Sequence, residues 1–292
     1  MKNIGMIGIG MMGHGIAANI VKKGYRLAVL EHPGNQPLDD LIAAGAKTFT
    51  SAAELAAQSE LVILVLTGSP QVEEVLTGER GVLQGLRPGS VVIDCSTALP
   101  DSTIRMAKAV AAAGSRFLDT PMTRTPKEAA EGRLNLLVGG DAALLEECRP
   151  LLSCFAENIV HAGAVGAGHS MKLLHNYVSL GMVALLSEAA ACAEHRGVAP
   201  EVFIEILAKG GGGGVALERL RPYLLAHDTS GLRFSVANAS KDMNYYTAMA
   251  SGAGSDQAIA AAVLATLERA RQEAPQALLP ELVSILASHR QR

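Results

Sequence analysis

The sequence contains little aromatic surface and no excess of positive charge. Among its 292 residues there are no tryptophans, five phenylalanines and five tyrosines. This composition disfavours a nucleic-acid binder that stacks bases on aromatic rings. The formal net charge is −3, from 25 basic and 28 acidic side chains. That balance argues against nucleic acid or an anionic membrane as a partner.

Cysteines and long apolar runs are also scarce. The four cysteines include no C-x-x-C pair, which disfavours a disulfide framework or a metal site and predicts buried free thiols in a reducing cytoplasm. Met1 to Gly10 lacks the pattern of a secretory signal. The longest strand-like apolar run, Leu61 to Leu66, is far shorter than the roughly 20 residues of a membrane helix. Tyr177 to Ala193 is apolar but contains Glu188, and we interpret it as a buried core helix. The cysteines are Cys95, Cys148, Cys154 and Cys192.

The first half of the chain alternates between strand-like and helix-like segments. Such alternation predicts a mostly parallel, doubly wound α/β sheet of the Rossmann type. Uninterrupted Val/Leu/Ile runs are typical of strands that helices cover on both faces. The predicted strands are residues 3–8, 26–30, 61–66, 91–94, 116–119, 134–138 and 158–161.

The second half is predicted to be all-helical. Its longest helix, about His169 to Arg196, ends at Gly197 and joins the two parts. Further helices are predicted at 201–208, 216–225, 240–251, 257–273 and 280–289. We therefore expect a Rossmann domain over residues 1–163 and an all-helical substrate and oligomerisation domain over residues 164–292. The many apolar and alanine positions of the long helix favour a homodimer or homotetramer, although a monomer core would look similar.

A glycine-rich turn follows the first predicted strand and opens the first predicted helix. It reads Gly8-Ile9-Gly10-Met11-Met12-Gly13, a spacing that brings the backbone and a helix N-terminus close to a pyrophosphate. Glu31 lies 18 residues after Gly13, at the end of the second strand. A carboxylate there binds ribose hydroxyls and repels a 2′-phosphate, so NAD is expected rather than NADP. The alternative for Glu31 is a solvated strand end. The alternative ligands for the whole site are a flavin, a nucleotide sugar or S-adenosylmethionine.

Several further motifs follow in order. They are Asp94-Cys95-Ser96-Thr97, Asp119-Thr120-Pro121-Met122, Gly132-Arg133-Leu134, Val138-Gly139-Gly140, Gly166-Ala167-Gly168 before Lys172 and Asn176, and Lys241-Asp242. With the glycine turn, this series resembles the β-hydroxyacid dehydrogenase family, which includes 3-hydroxyisobutyrate dehydrogenase and is related to 6-phosphogluconate dehydrogenase. The resemblance covers about residues 3 to 290. It implies NAD(P)-dependent oxidation of a 3-hydroxy acid or reduction of the matching semialdehyde.

The resemblance also implies roles for individual residues. Lys172 corresponds to the catalytic lysine, and Asn176, one turn further along the same helix, orients the substrate. Proton movement must accompany hydride transfer, and a lysine beside the cationic oxidised nicotinamide could serve as the acid/base. The alternative for Lys172 is a position on an ordinary solvated helix face. The expected cofactor residues are Gly8, Ile9, Gly10, Met11, Met12, Gly13, Glu31, Leu66, Thr67, Ser96, Thr97 and Lys241.

Other candidate residues have structural alternatives. Ser96 is expected near nicotinamide and substrate, but Ser96 or Thr97 could instead cap the following helix. Lys241 could be an ordinary surface lysine. Phe234 is expected either to wall the site or to pack in the core. Residues 210–214 are five consecutive glycines, which could form an anion nest or a flexible loop between helices.

The chain departs from the family at the substrate motif. Most members have Ser-Gly-Gly where this chain has Thr123-Arg124-Thr125. An arginine there adds a planar donor fork suited to a carboxylate, sulfonate or phosphate. The Arg-Thr pair resembles the branch that reduces 3-sulfolactaldehyde. The alternative is that Arg124 points to solvent or pairs with Glu128, one helical turn away.

The sequence therefore predicts an enzyme with a small anionic substrate. The expected reaction is hydride transfer between NAD(H) and a 3-hydroxy acid or its semialdehyde, with the substrate held by Ser96, Thr123, Arg124, Thr125 and Asn176. Sulfolactaldehyde, succinic semialdehyde or a sugar acid such as threonate are alternative substrates. A catalytically silent NAD-binding protein is the alternative of another class, and the presence of Lys172 with Asn176 disfavours it.

Overall fold

The computed structural model describes residues 2–289. Its contacts divide the chain into two compact units, the first ending at Lys172 and the second beginning at Leu173. The last strand ends at Gly163, close to the expected domain boundary. The helix that follows begins in the first unit and continues into the second.

The first unit is built on a nine-stranded sheet, which includes the seven strands that the alternating pattern predicted. Six parallel strands stand in the order β3-β2-β1-β4-β5-β6, and β8 joins β6 antiparallel with β7 and β9 as its other neighbours. The strands are β1 Asn3–Ile7, β2 Arg26–Leu30, β3 Lys47–Phe49, β4 Leu61–Leu64, β5 Val91–Asp94, β6 Arg116–Asp119, β7 Met122–Thr123, β8 Leu134–Gly139 and β9 Ala156–Gly163. This doubly wound arrangement confirms the expected fold class.

Helices cover both faces of this sheet, so the central strands are buried on each side. Leu61 and Ile63 of β4 pack in one hydrophobic cluster, whereas Val62 and Leu64 pack in another. Neighbouring side chains of a strand point to opposite faces, which explains the continuous apolar run. The helices are α1 Met11–Lys22, α2 Asp39–Ala43, α3 Ala52–Ala57, α4 Ser69–Thr77, α5 Val82–Gly85, α6 Pro100–Ala112, α7 Pro126–Glu131 and α8 Ala142–Leu152.

The second unit is helical over its described residues. Its core contains Leu217, Leu220, Met243 and Leu267, each fully buried. The helix of residues 236–252 begins with a side-chain cap, since the Ser235 hydroxyl accepts a 3.1 Å hydrogen bond from the Asn238 N–H. The helices are α9 Ala167–His195, α10 Pro200–Lys209, α11 Val215–Ala226, α12 Val236–Gly252, α13 Ala258–Glu273 and α14 Leu282–Ser288.

The long helix α9 supplies core residues to the second unit. Leu173, Leu180 and Val183 are buried in its hydrophobic cluster. Within residues 2–289, α9 is the helix whose length and composition would also suit a membrane span, a test that core helices of soluble proteins pass as well.

Two short strands and one thiol differ from the sequence expectations. The strands β3 and β7 were not predicted, because three and two residues carry too little periodicity. Cys95, Cys148 and Cys154 are buried and free, as expected, but Cys192 is exposed. The prediction of a buried thiol is therefore wrong at Cys192.

Candidate active site

The glycine turn between β1 and α1 is tightly packed at two of its glycines and open at the third. Gly8 has a φ of +98°, and a Cβ there would lie 2.1 Å from the Val65 carbonyl oxygen. A Cβ at Gly13 would lie 2.0 Å from the Gly8 carbonyl oxygen, whereas one at Gly10 would meet nothing within 4 Å. Gly8 and Gly13 are thus needed for the turn itself, and Gly10 leaves its outer side open. These residues fit a dinucleotide whose phosphates approach the start of α1.

The loop after Glu31 is braced against this turn by Asn35. The Asn35 Oδ1 accepts a 3.1 Å hydrogen bond from the Ile9 N–H, and its Nδ2 donates to the Leu30 carbonyl at 2.9 Å. Glu31 is exposed at the end of β2, and its N–H donates to the Phe49 carbonyl at 2.8 Å. Sequence reasoning missed Asn35, because an asparagine in a Pro-Gly-Asn turn gives no signal of a contact 26 residues away.

Ser96 connects the carboxyl ends of two strands. Its Oγ accepts a 2.9 Å hydrogen bond from the Leu66 N–H, which follows β4, while its own N–H donates to Asp94 Oδ1 at 2.9 Å. The N-cap of α6 is Leu99, whose N–H donates to the Ser69 Oγ at 2.8 Å. The alternative that Ser96 or Thr97 caps this helix is therefore wrong. Thr97 is half-buried and Thr67 exposed.

Lys172 lies in the first turns of α9, whose N-terminus is anchored at the same edge of the sheet. Asp119, the last residue of β6, accepts hydrogen bonds from the N–H groups of Gly166 at 2.8 Å and His169 at 2.9 Å. Gly168 is required here, because a Cβ would lie 2.4 Å from the Leu137 carbonyl oxygen. The start of α9, which carries the half-buried Lys172, is thereby anchored at the carboxyl end of β6, the edge of an open α/β sheet at which ligands bind.

The substrate motif adopts a conformation that is unusual for its sequence. Arg124 has a φ of +81°, the left-handed region that favours glycine. Its Nη1 donates to the Glu157 carboxylate and to the Arg133 carbonyl oxygen. The hydrogen bond and charge of Arg124 lower the pKa of Glu157.

The expected alternative pairing of Arg124 with Glu128 is wrong, because Glu128 is occupied elsewhere. It accepts hydrogen bonds from the N–H and hydroxyl of Thr125, forming a capping box at the start of α7. Thr123 is buried in β7, where its hydroxyl accepts a 3.0 Å hydrogen bond from Asn135. Of the three motif residues, Arg124 therefore carries the charged group suited to an anion.

In the second unit, Asn176 is held by an acidic residue whose role the sequence did not predict. The Asn176 Nδ2 donates to Asp242 Oδ2 at 2.6 Å, and the Lys241 Nζ lies 3.1 Å from Asp242 Oδ1. Lys241 also lies 5.5 Å from the centroid of the Tyr245 ring. The two residues of the Lys241-Asp242 motif and Asn176 are thus brought together within this unit.

Two other candidates in the second unit, Phe234 and residues 210–214, have structural roles within that unit. Phe234 packs against its hydrophobic core, which was one of the two interpretations. Residues 210–214 form a turn between α10 and α11, with the Gly213 N–H donating to the Gly210 carbonyl at 3.3 Å. A Cβ at Gly212 would lie 2.7 Å from Leu207 Cδ2, so this glycine serves packing within the unit.

Comparison with known proteins agrees with this geometry. Residues 3–163 match the NAD binding domain of 6-phosphogluconate dehydrogenase, and residues 166–278 match the family described as NAD-binding of NADP-dependent 3-hydroxyisobutyrate dehydrogenase. This chain belongs to the β-hydroxyacid dehydrogenase family. Residues 3–163 are its NAD-binding domain, and the protein is an oxidoreductase that acts on the CH–OH group of small hydroxy acids.

Individual relatives cover most of the chain. The NAD-dependent L-serine dehydrogenase of Pseudomonas aeruginosa is 36% identical over 223 residues, 76% of this chain and 74% of that protein. The 3-sulfolactaldehyde reductase of Escherichia coli is 33% identical over 207 residues, 71% and 69% of the two chains. The structure of Mycobacterium tuberculosis 3-hydroxyisobutyrate dehydrogenase with L-serine superimposes with a TM-score of 0.88 at 25% identity, covering 98% and 99%.

The open side of Gly10 gives a test of the cofactor site. Gly10→Ala should leave the thermal unfolding midpoint unchanged, because its Cβ meets nothing within 4 Å, but should raise the Kd for NADH about tenfold by crowding the phosphates. Gly8→Ala should also cost about 1–3 kcal/mol of stability, since the new side chain meets backbone at positive φ. Fluorescence titration with NADH and thermal denaturation measure both effects. Unchanged NADH affinity in Gly10→Ala would show that the phosphates bind elsewhere.

Proposed function

We propose that this protein interconverts a small anionic 3-hydroxy acid and its semialdehyde with NAD(H), using Lys172 as the acid/base. The observation that carries this proposal is the hydrogen bond between His169 Nε2 and the Ser96 carbonyl oxygen, 3.1 Å long. It holds the start of α9 against the turn that follows β5. Lys172 comes three residues after His169, about 4.5 Å further along the helix axis.

The chain's own residues supply the proton chemistry and the binding of the substrate. A bound NAD⁺ would supply the acceptor for the hydride of the carbinol carbon. The neutral amine of Lys172 accepts the hydroxyl proton as the C–O bond becomes a carbonyl, and the ammonium returns that proton in the reverse direction. Asn176 has its amide fixed by Asp242, which supports its proposed role in orienting the substrate hydroxyl.

Replacement of Lys172 tests the acid/base assignment. Lys172→Ala should lower kcat by about 10²–10⁴-fold, the usual contribution of a positioned acid/base, with little change in the Kd for NADH. NADH absorbance assays with L-serine, 3-hydroxyisobutyrate and 3-sulfolactaldehyde would measure turnover. Lys209→Ala is a matched control, because Lys209 is exposed and pairs with Glu205 on α10. Equal turnover by Lys172→Ala and the control would rule out the assignment.

The charge of Arg124 supports an anionic substrate. Both of the Arg124 hydrogen bonds, to the Arg133 carbonyl and to Glu157, come from Nη1, which carries two of the five N–H donors. The guanidinium makes no further hydrogen bond or ion pair within residues 2–289. Its Nε and Nη2 edge can therefore still hold two oxygens of a carboxylate or sulfonate. The names of the relatives L-serine dehydrogenase and 3-sulfolactaldehyde reductase support a substrate of this size with an acidic group.

Substitutions at Arg124 and Glu157 separate the effect of the guanidinium charge on KM from the effect of the left-handed backbone. Arg124→Gly keeps the left-handed backbone without strain and should raise KM for the anionic substrate about tenfold to a hundredfold, with kcat less affected. Arg124→Lys should recover only part of the affinity, because lysine lacks the planar fork. Glu157→Gln should lower KM, since it removes the competing carboxylate. Steady-state kinetics of the three variants would reject the anion site if KM stayed constant throughout.

We also propose that the protein is a cytoplasmic homo-oligomer. Four large apolar side chains with a spacing of three to four residues are exposed along α9, which supports association with a second copy. They are Leu174, Val178, Met182 and Leu185, with exposed fractions of 40%, 58%, 40% and 69%. Contiguous exposed apolar surface of this kind is typical of interfaces. The free cysteines support a reducing compartment.

A charge placed in this stripe tests the association. Leu185→Glu should convert the oligomer to monomer at micromolar concentration, because a buried interface does not tolerate an unpaired carboxylate. Size-exclusion chromatography with light scattering measures the mass. Ile259→Glu on α13 is the control, since Ile259 is also exposed, at 71%, but lies outside the stripe. A monomeric unmodified protein, or an oligomer unaffected by Leu185→Glu, contradicts the proposal.

A further inference from the structure

His169 is a buried titratable residue whose bond to the Ser96 carbonyl is only one of its contacts. Its side chain is fully buried, whereas the other seven of the chain's eight histidines, all of them described, are at least partly exposed. It stands in the first turn of α9, three residues before Lys172. Among residues 2–289 no group of three or more His, Cys, Asp or Glu is arranged to hold a metal ion, so a different explanation for its burial is required.

Both nitrogens of the ring have a hydrogen-bond partner on another element. Nε2 lies 3.1 Å from the Ser96 carbonyl oxygen, which can only accept, so Nε2 carries a hydrogen. Nδ1 lies 2.8 Å from the Thr103 Oγ1, whose hydroxyl donates to the Leu99 carbonyl at 3.1 Å. The Leu99 carbonyl also accepts the Thr103 N–H at 3.0 Å, so the hydrogen between Thr103 Oγ1 and Nδ1 can belong to either atom. If Nδ1 holds it, both ring nitrogens are donors and the ring is an imidazolium.

Two buried carboxylates surround this ring and favour its positive charge. Asp94 Oδ2 lies 3.9 Å from Nε2, and Asp119 Oδ2 lies 3.8 Å from Nδ1. Asp94 Oδ2 has no hydrogen-bond partner within the described residues, so the ring is its nearby source of positive charge. Burial raises the pKa of Asp94, and the charge of His169 acts against that rise. The adjacent Cys95 thiol stays neutral, because burial raises its pKa to about 12.

We propose that His169 is a positioning residue, which locks the Ser96 turn, helix α6 and the first turn of α9 together through two ring N–H donors. The ring bonds Ser96 after β5 and Thr103 on α6, while its own backbone N–H bonds Asp119 at the end of β6. Three separate elements are thereby fixed to the helix that carries Lys172. The inference rests on the proposed function of Lys172, since the lock matters for the reaction only if that lysine takes part in it.

The two substitutions of Thr103 form a matched pair. Thr103→Val keeps the shape of the side chain but removes the acceptor for Nδ1–H, whereas Thr103→Ser keeps the hydroxyl. A shift of about 1 Å in a reacting group can cost about a hundredfold in rate. Thr103→Val should therefore lower kcat tenfold to a hundredfold with a Kd for NADH within about threefold of the unmodified protein, and Thr103→Ser should restore kcat.

Nuclear magnetic resonance gives a readout that does not depend on activity. In unmodified protein labelled with ¹⁵N-histidine at neutral pH, one ring should have hydrogens on both nitrogens that exchange slowly with solvent. Thr103→Val should speed the exchange of the Nδ1 hydrogen, and hydrogen exchange at the start of α9 should increase. Thr103→Ser should resemble the unmodified protein in both measurements.

The outcomes separate this inference from the proposed function. A buried histidine ring with one unprotonated nitrogen, or Thr103→Val with unchanged kcat and unchanged exchange, would overturn the inference. Equal loss of kcat in Thr103→Ser and Thr103→Val would overturn it as well. If instead Lys172→Ala proved fully active, the proposed function would fail while the ring signals stayed as expected.

Discussion

The placement of α9 depends on one buried carboxylate, that of Asp119. It accepts hydrogen bonds from two N–H groups at the start of α9, those of Gly166 and His169. An anion at this end of a helix also interacts favourably with the helix dipole. The carboxylate fits only because glycines surround it. A Cβ at Gly139 would lie 2.5 Å from Asp119 Oδ1, and one at Gly168 would lie 2.8 Å from Oδ2. Part of the glycine content of the chain therefore serves the anchoring of α9.

The buried Asp119 carboxylate lies beside a second buried acidic side chain, Asp94, and the ring of His169 lies close to both. Asp94 and Asp119 are paired in register at the ends of adjacent strands, and both are fully buried. Two like charges without solvent repel each other, and the charge of Asp119 contributes to the raised pKa of Asp94. With hydrogens on both nitrogens, as proposed, the ring within 4 Å of both carboxylates compensates for this repulsion. The same ring connects the strands to α6, so charge compensation and positioning depend on one side chain.

The parts of the fold that could be predicted are those with a local signal. The continuous apolar run of β4 and the glycine turn before α1 depend on neighbouring residues, and both were predicted. Contacts between distant residues could not be derived in this way. Asp119 was seen in a motif, but its partners at Gly166 and His169 lie 47 and 50 residues further along the chain. His169 gives no local signal in the sequence, because its carboxylate partners Asp94 and Asp119 become its neighbours only through the sheet.

The partner of Arg124 also could not be predicted from neighbouring residues, and its contacts affect which substrates the proposed site selects. Helical spacing suggested Glu128 as its partner, but the strand pairing of β8 with β9 brings Glu157 within reach, 33 residues away. A left-handed φ at a residue other than glycine costs about 1–2 kcal/mol, a cost that the family's usual Ser-Gly-Gly does not carry. The contacts with Glu157 and the Arg133 carbonyl hold the side chain in place and fix the plane of its guanidinium. A fixed plane accepts two oxygens in one orientation only. On the proposed function, this chain therefore selects its substrate by the geometry of the acidic group, where glycine backbone would select chiefly by size.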